Sequence, residues 1–327
     1  MKAIVIASPG GPEQLVLREV PTPVPSKGEV RVRIRASAIN RADLLQRMGM
    51  YPAPPDAPQD IPGLELAGTV DAVGEGVTRL AVGDRVFGLV GGGAYAEHVT
   101  AHERTLAKMP AGLSFNDAAA IPEAFITAYD AMVTQARLGA GETVLVTAVG
   151  SGVGTAAVQI ARAIGAIAIG TSRTEDKLGR AAALGMAHGV VVGNDGKFAD
   201  TVSKHAVGGV DVVLDLVGGG YVEEGIACMA PRARLVLVGL LGGFRADVDL
   251  GAVLRKRLEL RGTMLRARPL EEKILAARVF ERHLVPLFAS GALKAIVDKT
   301  FPLADAAAAH TYVASNDGFG KAVLEVP

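Results

Sequence analysis

Residues 143–154 read Thr143-Val144-Leu145-Val146-Thr147-Ala148-Val149-Gly150-Ser151-Gly152-Val153-Gly154. The first half is a nearly continuous apolar run of strand length, the pattern of a strand buried on both faces. A glycine turn follows, and the sequence then becomes helical as far as about residue 164. A buried strand, a glycine turn and a helix start in immediate succession form a dinucleotide-binding unit, whereas the glycines alone would be weak support. Backbone N–H groups at a helix N-terminus have no intrahelical acceptors and carry partial positive charge, so they hold a pyrophosphate. Gly150 and Gly152 let the backbone turn and approach a ligand closely. Gly154, with Ala157 about one turn on, lets the helix pack on the sheet.

Outward from this unit, strand and helix alternate. Strands are expected at 166–171, 189–192, 210–215, 234–239 and 258–262, with helices near 175–184, 198–205 and 221–229. Alternation of this kind means a parallel, doubly wound sheet, so the fold class is α/β with a Rossmann domain.

The second strand ends Gly170-Thr171-Ser172-Arg173. An NAD enzyme usually carries Asp or Glu here for the ribose 2′-hydroxyl. The carboxylate is missing, Ser172 and Arg173 stand in its place, and Lys177 lies one helical turn further. Arg173 and Lys177 suit a 2′-phosphate that an Asp would repel, so NADPH is expected over NADH. Glu175 and Asp176 lie between them.

The first part of the chain has a different texture. Residues 29–35 read Glu-Val-Arg-Val-Arg-Ile-Arg, with Val30, Val32 and Ile34 on one face and Arg31, Arg33 and Arg35 on the other, which predicts a half-buried strand with solvated arginines. Short strands are expected at 66–74, 85–90 and 94–100, punctuated by Gly and Pro, as in a barrel or sandwich. The Pro-rich stretch 52–62 reads as a surface loop. Ser114 is a plausible N-cap, and from 123 to 138 the apolar spacing is helical. The tail at 321–326 returns to strand texture and would complete the first domain. The expected division is 1–123 completed by 290–327, with 124–289 as the nucleotide-binding domain.

Composition narrows the function classes. With 34 basic and 34 acidic residues among 327, the formal charge is zero, so nucleic acid is not an expected partner. A single cysteine, Cys228, excludes an internal disulfide and a cysteine-rich zinc site, and is expected to be a small buried hydrophobe. No apolar run reaches the ~20 residues that span a bilayer, and the N-terminal apolar run is too short for a signal peptide. No membrane association and a cytoplasmic location are expected.

Several segments resemble a known family. Gly74-Glu75-Gly76-Val77 and Gly83-Asp84-Arg85-Val86 resemble the turns of the GroES-like domain of medium-chain dehydrogenases/reductases. Residues 142–159 resemble the signature of quinone oxidoreductases and zeta-crystallin. Residues 37–44, 118–124 and 151–157, with Val238-Gly239-Leu240 and Gly320-Lys321, are similar to the tumour-suppressor-inducible type within that family. The resemblance runs nearly end to end. It implies a GroES-like β-barrel domain beside the Rossmann domain, NADPH in the cleft between them, and a homodimer joined through the sixth Rossmann strand, here 258–262. It also implies site residues. Asn40 matches an asparagine beside the nicotinamide, and Tyr51 a tyrosine near its ribose and phosphates. Ser151, Gly152 and Val153 match the pyrophosphate turn, and Lys177 the 2′-phosphate lysine. Gly239, Leu240, Met264 and Leu265 match the segments flanking the nicotinamide, and Lys321 joins the cofactor set. One departure is Val191-Val192-Gly193, where the family often has a tyrosine; Arg173, where relatives often have glycine, is a candidate compensation.

Zinc-dependent members of the superfamily use an early cysteine and a Gly-His-Glu segment. Here the corresponding stretches read Asn40-Arg41-Ala42-Asp43 and Gly63-Leu64-Glu65, so no metal is expected. His98 and His102 are four apart but in a strand-to-turn context. Without a metal to polarise an alcohol, the acceptor should be one that takes hydride readily, a quinone or activated enone. Asn40 and Tyr51 are the candidate catalytic residues: Asn40 to bond a substrate carbonyl or the nicotinamide ribose, Tyr51 to donate a proton or, as the favoured role, only to hold the cofactor. The alternatives are an enoyl-thioester or enone reductase and a mainly non-catalytic NADPH-binding protein.

Overall fold

Val30, Val32 and Ile34 are wholly buried and Arg33 and Arg35 are exposed, so the period-two pattern builds the strand it predicts. Arg31 departs from the expected solvated face: its Nε donates to Asp71 Oδ1 at 2.8 Å, an ion pair across neighbouring strands. These observations come from a computed structural model that describes residues 1–327. The chain forms two units, Met1–Ile126 with Leu265–Pro327, and Thr127–Met264.

The first unit begins with β1 (Lys2–Ile6), β2 (Leu15–Glu19), β3 (Glu29–Ala38), α1 (Arg41–Arg47), β4 (Glu65–Val73), β5 (Arg85–Leu89), β6 (His98–His102), β7 (Leu106–Lys108) and α2 (Phe115–Ala119). Helix α3 (Pro122–Tyr129) leads into the second unit, which holds β8 (Thr143–Val146), α4 (Gly152–Ala163), β9 (Ile167–Ser172), α5 (Glu175–Ala182), β10 (His188–Val191), α6 (Ala199–His205), β11 (Val210–Asp215), α7 (Gly220–Cys228), β12 (Met229–Leu237), α8 (Leu250–Lys256) and β13 (Glu259–Gly262). The chain then rejoins the first unit with α9 (Leu270–His283), α10 (Val285–Ala289), β14 (Val297–Pro302), α11 (Ala306–Ser315) and β15 (Lys321–Glu325).

In the first unit a seven-stranded sheet runs β14-β15-β3-β4-β5-β7, with β6 also paired to β3. Its core gathers Val30, Val32, Ile34, Leu66, Val70, Val86 and Tyr95. The C-terminal strand β15 pairs antiparallel with β3, so this unit is built from two separate stretches of the chain. Pairing places Val323 opposite Ala38, two residues before Asn40.

In the second unit six parallel strands follow the order β10-β9-β8-β11-β12-β13. Val144, Leu145 and Val146 are wholly buried, as a central strand requires. The order reverses between β8 and β11. In open α/β sheets, ligands bind beyond the carboxyl ends of the strands at such a switch point.

Three local readings differ from the structure. The strand expected at 94–100 is β6, which starts only at His98, because residues 94–97 instead bond to β1: Ile4 N–H donates to Tyr95 O and Glu97 N–H to Lys2 O. The helix expected over 123–138 is α3 followed by one π-helical segment, Asp130–Gln135. Gln135 Nε2 reaches back to Asp130 Oδ2 at 2.6 Å and to Thr263 Oγ1 at 2.6 Å, partners that accompany the wider winding. The return to the first unit falls at 264/265 rather than 290. Helix α9 belongs to that unit because Phe280 packs edge-on against Phe87 at 5.3 Å and Arg278 Nη2 donates to Leu106 O. No helix is long and apolar enough to cross a membrane.

Candidate cofactor and substrate residues

In the second unit, Ser151 is the N-cap of α4 and its Oγ accepts the Gly154 N–H at 3.0 Å. That cap leaves the N–H groups of Gly152 and Val153 ahead of the helical ladder and available to an anion. A Cβ on Gly154 would lie 2.6 Å from Val149 O and 2.7 Å from Ala148 O, so no larger residue fits this crossing. Ala148, at φ 49, takes a left-handed conformation rare for a residue with a Cβ, and makes the turn as tight as it is.

Ser172 ends β9 buried, its Oγ accepting the Thr174 N–H at 3.2 Å. Arg173 next to it is exposed. The stem of Lys177 lies over Gly150, where a Cβ would come within 2.9 Å of its Cδ. The structure therefore brings the candidate 2′-phosphate lysine beside the candidate pyrophosphate turn. Those are residues of two different strand-to-helix connections.

At the end of β11, Asp215 is wholly buried and accepts N–H groups from Val217 (2.9 Å) and Gly218 (3.1 Å) and the Thr147 hydroxyl (3.1 Å). Burial pushes its carboxyl up, and these three donors oppose the rise. The turn it holds meets the connection after β12 in a glycine-on-glycine contact. Gly218 bridges Gly243, and a Cβ on Gly239 would lie 2.3 Å from Leu216 O. Leu240 is left exposed beside this contact. Met264 is also exposed and, with Leu265, sits where the two units divide.

In the first unit, Asn40 precedes α1 and its N–H donates to Asp43 Oδ2 at 2.7 Å. Its side-chain Nδ2 donates to Glu65 Oε1 at 2.8 Å and Ala38 O at 3.3 Å. Lys321 donates to Asn40 Oδ1, to Ile39 O at 2.9 Å and to Glu65 Oε1 at 2.8 Å. The remaining Glu65 oxygen, Oε2, accepts the Glu123 N–H at 2.8 Å. Lys321 and Asn40, assigned separately from sequence, are thus joined through Glu65, a residue sequence reasoning noted only as the end of the Gly63-Leu64-Glu65 segment.

Tyr51 is half-buried, with the Arg266 guanidinium 5.2 Å from the centre of its ring. Arg266 is buried and donates to Gly91 O, Tyr51 O and Gln46 Oε1. Burial raises the Tyr51 phenol and Arg266 pulls it back, so the hydroxyl keeps its proton at neutral pH. Nothing in the local sequence pointed to Arg266, because its partners come from two distant stretches, residues 46–51 and Gly91.

No group of three or more His, Cys, Asp or Glu side chains converges as a metal would require. His98 Nε2 instead contacts Asp71 Oδ2 at 3.1 Å, and His102 Nδ1 accepts the Arg104 N–H. Cys228 is buried, its Sγ donating to Gly225 O, and burial pushes its thiol up to about 12.

Comparison with known proteins places this arrangement. The alcohol dehydrogenase GroES-like domain model matches residues 26–111, and the zinc-binding dehydrogenase model residues 152–281. A quinone oxidoreductase of Pseudomonas aeruginosa is 36% identical over 337 residues, covering 99% of each chain. The crystal structure of Escherichia coli quinone oxidoreductase complexed with NADPH superposes with a TM-score of 0.88 at 30% identity, over the whole of both chains. The CurK enoyl reductase superposes with a TM-score of 0.85 at 27% identity, covering 100% of this chain and 99% of that one. With full-length identity at this level, a six-stranded parallel sheet in one unit and a GroES-like match in the other, the chain belongs to the quinone oxidoreductase family of the medium-chain dehydrogenases/reductases.

Proposed function

We propose that the protein is an NADPH-dependent, zinc-independent reductase of quinones or activated enones. The observation that carries the cofactor is the pairing of Lys177 with the glycine turn, with Arg173 beside it where an NAD enzyme has a carboxylate. The residues fit that cofactor: Gly152 and Val153 would hold the pyrophosphate, Arg173, Ser172 and Lys177 the 2′-phosphate, and Tyr51, Asn40, Gly239, Leu240, Met264 and Leu265 the nicotinamide end. NADPH, when bound, supplies a hydride. The protein positions it and keeps the Tyr51 hydroxyl protonated as a hydrogen-bond donor.

The zinc in the name of one matching family model does not carry over. Leu64 offers no ligand atom, and the Glu65 carboxylate is closed by Lys321, Asn40 and the Glu123 amide. A cation held against Glu65 by the protein itself also opposes a metal ion there. With no Lewis acid to activate an alcohol, quinones and enones are the fitting acceptors. The likeness to an enoyl reductase favours, as a second reading, an acyl-thioester enone as substrate.

The partner we propose is a second copy. Strand β13 forms one edge of the parallel sheet, and Leu260 on it is exposed together with nearby Leu250 and Leu254. An open edge beside exposed leucines suits a two-fold strand pairing. Sedimentation at micromolar concentration should give a homodimer.

The deciding experiment is a side-by-side assay of NADPH and NADH oxidation with 1,2-naphthoquinone, 9,10-phenanthrenequinone, a simple enone and an enoyl thioester, with and without a chelator. Chelator-insensitive quinone turnover favouring NADPH is the expected result. Preference for the thioester would select the second reading, and chelator-sensitive alcohol oxidation would overturn zinc independence.

A further inference from the structure

The Lys321 ammonium has three N–H groups, and three acceptors engage them: Ile39 O, Asn40 Oδ1 and Glu65 Oε1. Its side chain is 6% exposed and that of Glu65 is fully buried. The ammonium therefore has no hydrogen left to give a ligand, although sequence resemblance placed Lys321 in the cofactor set. Asn40 is in a related state. Both Nδ2 hydrogens are donated, to Glu65 Oε1 and Ala38 O, and Oδ1 already accepts from Lys321. One lone pair of Oδ1 remains.

The orientation of that carboxamide is fixed electrostatically. Its oxygen faces an ammonium and its nitrogen faces a carboxylate. A flip would oppose NH2 to NH3⁺ and carbonyl to carboxylate in a low-dielectric setting where neither has an alternative partner.

Resting on the reading of the protein as NADPH-dependent, we infer that Lys321 is a positioning residue: paired with Glu65, it locks Asn40 as a pure acceptor for a hydroxyl or amide N–H at the nicotinamide end of the cofactor. Asn40 then bonds the ribose or carboxamide and does not donate to a substrate carbonyl. Lys321 makes no contact with the cofactor.

The test is a double-mutant cycle read by binding. NADPH affinity is measured by fluorescence titration for wild type, Lys321→Met, Asn40→Ala and the double variant. Adenosine 2′,5′-bisphosphate, which lacks the nicotinamide end, serves as the second probe. Each single variant should weaken NADPH about tenfold, the double no more than either single, and the bisphosphate should bind all four equally. A second pair keeps the ammonium paired: Asn40→Asp should weaken NADPH, and Asn40→Asp/Glu65→Gln, which exchanges amide and carboxylate, should restore it to within about threefold. Additive losses in the cycle would show direct contact by Lys321 and overturn the inference. So would unchanged affinity in Lys321→Met, or failure of the exchange to restore binding. If wild type binds the bisphosphate but not NADPH, or neither, the cofactor reading falls first and the inference with it.

Discussion

Arg47 Nη1 lies 3.3 Å from Nδ1 of His310, and this contact sets the tautomer of a fully buried histidine. A guanidinium has only donors, so Nδ1 accepts and the proton sits on Nε2. Nε2–H then donates to the Tyr95 oxygen at 3.1 Å, and the Tyr95 hydroxyl donates to Asp43 Oδ2 at 3.1 Å. The chain of donors runs one way, from α1 through α11 and Tyr95 back to α1. It ends on the carboxylate that also receives the Asn40 N–H, so it anchors the start of the helix that Asn40 precedes. Burial, with Arg47 adding to it, lowers His310 to about 3; burial raises Asp43 to about 6 against the pull of the Asn40 amide, Lys321, Tyr95 and Arg266.

These opposed shifts predict an unusual acid limb. His310 is neutral in the folded chain but takes a proton in the unfolded chain below about pH 6.5, so by itself it removes stability as pH falls from 6.5 toward 3, about 5 kcal/mol in total. Asp43 has the other sign. Its folded form takes up a proton as pH falls through about 6, while the unfolded carboxyl waits until about 3.8, returning about 3 kcal/mol over that window. The two nearly cancel between about pH 6 and 4. Asp43→Asn should therefore lose stability on acidification more steeply than wild type by about 1.4 kcal/mol per pH unit in that window. His310→Gln leaves the Asp43 effect unopposed and should instead gain about 1.4 kcal/mol per pH unit as pH falls from about 6 to 4. Urea unfolding from pH 4 to 7 measures both, and curves parallel to wild type would refute the assignment.

The Rossmann half was legible because its signals are local. Residues 143–154 carry strand, turn and helix start within one contiguous stretch, and the burial of Val144 to Val146 follows directly from their apolar run. The polar network of the first unit was not legible. Lys321, Glu65, Asn40, His310 and Arg266 come from segments far apart in sequence, and no periodicity records which buried polar groups will meet. The extent of the first unit was missed for the same reason: α9 has a helix pattern that says nothing of its packing on Phe87. In the π-helical segment, Gln135 bonds not only Asp130 within it but also Thr263 far along the chain, a partner that the local sequence does not announce.

Two glycines in the second unit should respond oppositely to alanine. A Cβ at Gly154 meets two backbone carbonyl oxygens under 3 Å, atoms that cannot move without shifting the strand end. Gly154→Ala should destabilise by about 1–3 kcal/mol and weaken adenosine 2′,5′-bisphosphate binding, since the turn must open. Gly179 lies in α5 with nothing within 4 Å of a new Cβ and no left-handed backbone. Gly179→Ala should stabilise by about 0.4–1 kcal/mol through helix propensity and a less free unfolded chain. Thermal melts of the two variants check the pair, and equal shifts would contradict the packing argument.

Cys228 should behave as an inert hydrophobe. With its thiol pushed to about 12 and its side chain buried, the thiolate fraction at pH 8 is on the order of one in ten thousand, against a substantial fraction for an exposed cysteine. An aromatic disulfide reagent should find no rapidly reacting thiol in the native protein and one per chain in 8 M urea. Rapid native labelling would mean that α7 opens far more readily than its packing implies.

Selection of the 2′-phosphate should reside in Arg173 and Lys177 and be separable by charge. Both side chains can offer N–H donors and positive charge to a dianion, and Lys177 is held near it by its stem on Gly150. Lys177→Met keeps that stem and removes only the ammonium, so it should raise the NADPH dissociation constant about tenfold or more while NADH binding changes little. Arg173→Asp goes further. It restores the acidic partner that a ribose 2′-hydroxyl prefers and repels the phosphate, so the ratio of NADPH to NADH affinity should fall by about two orders of magnitude. Because the lost contacts are exposed ion pairs, raising salt from 0.05 to 0.5 M should weaken NADPH binding to wild type and affect a variant carrying both Lys177→Met and Arg173→Met far less. Variants that bind both cofactors in the wild-type ratio would place the phosphate elsewhere and remove the strongest support for NADPH as the cofactor.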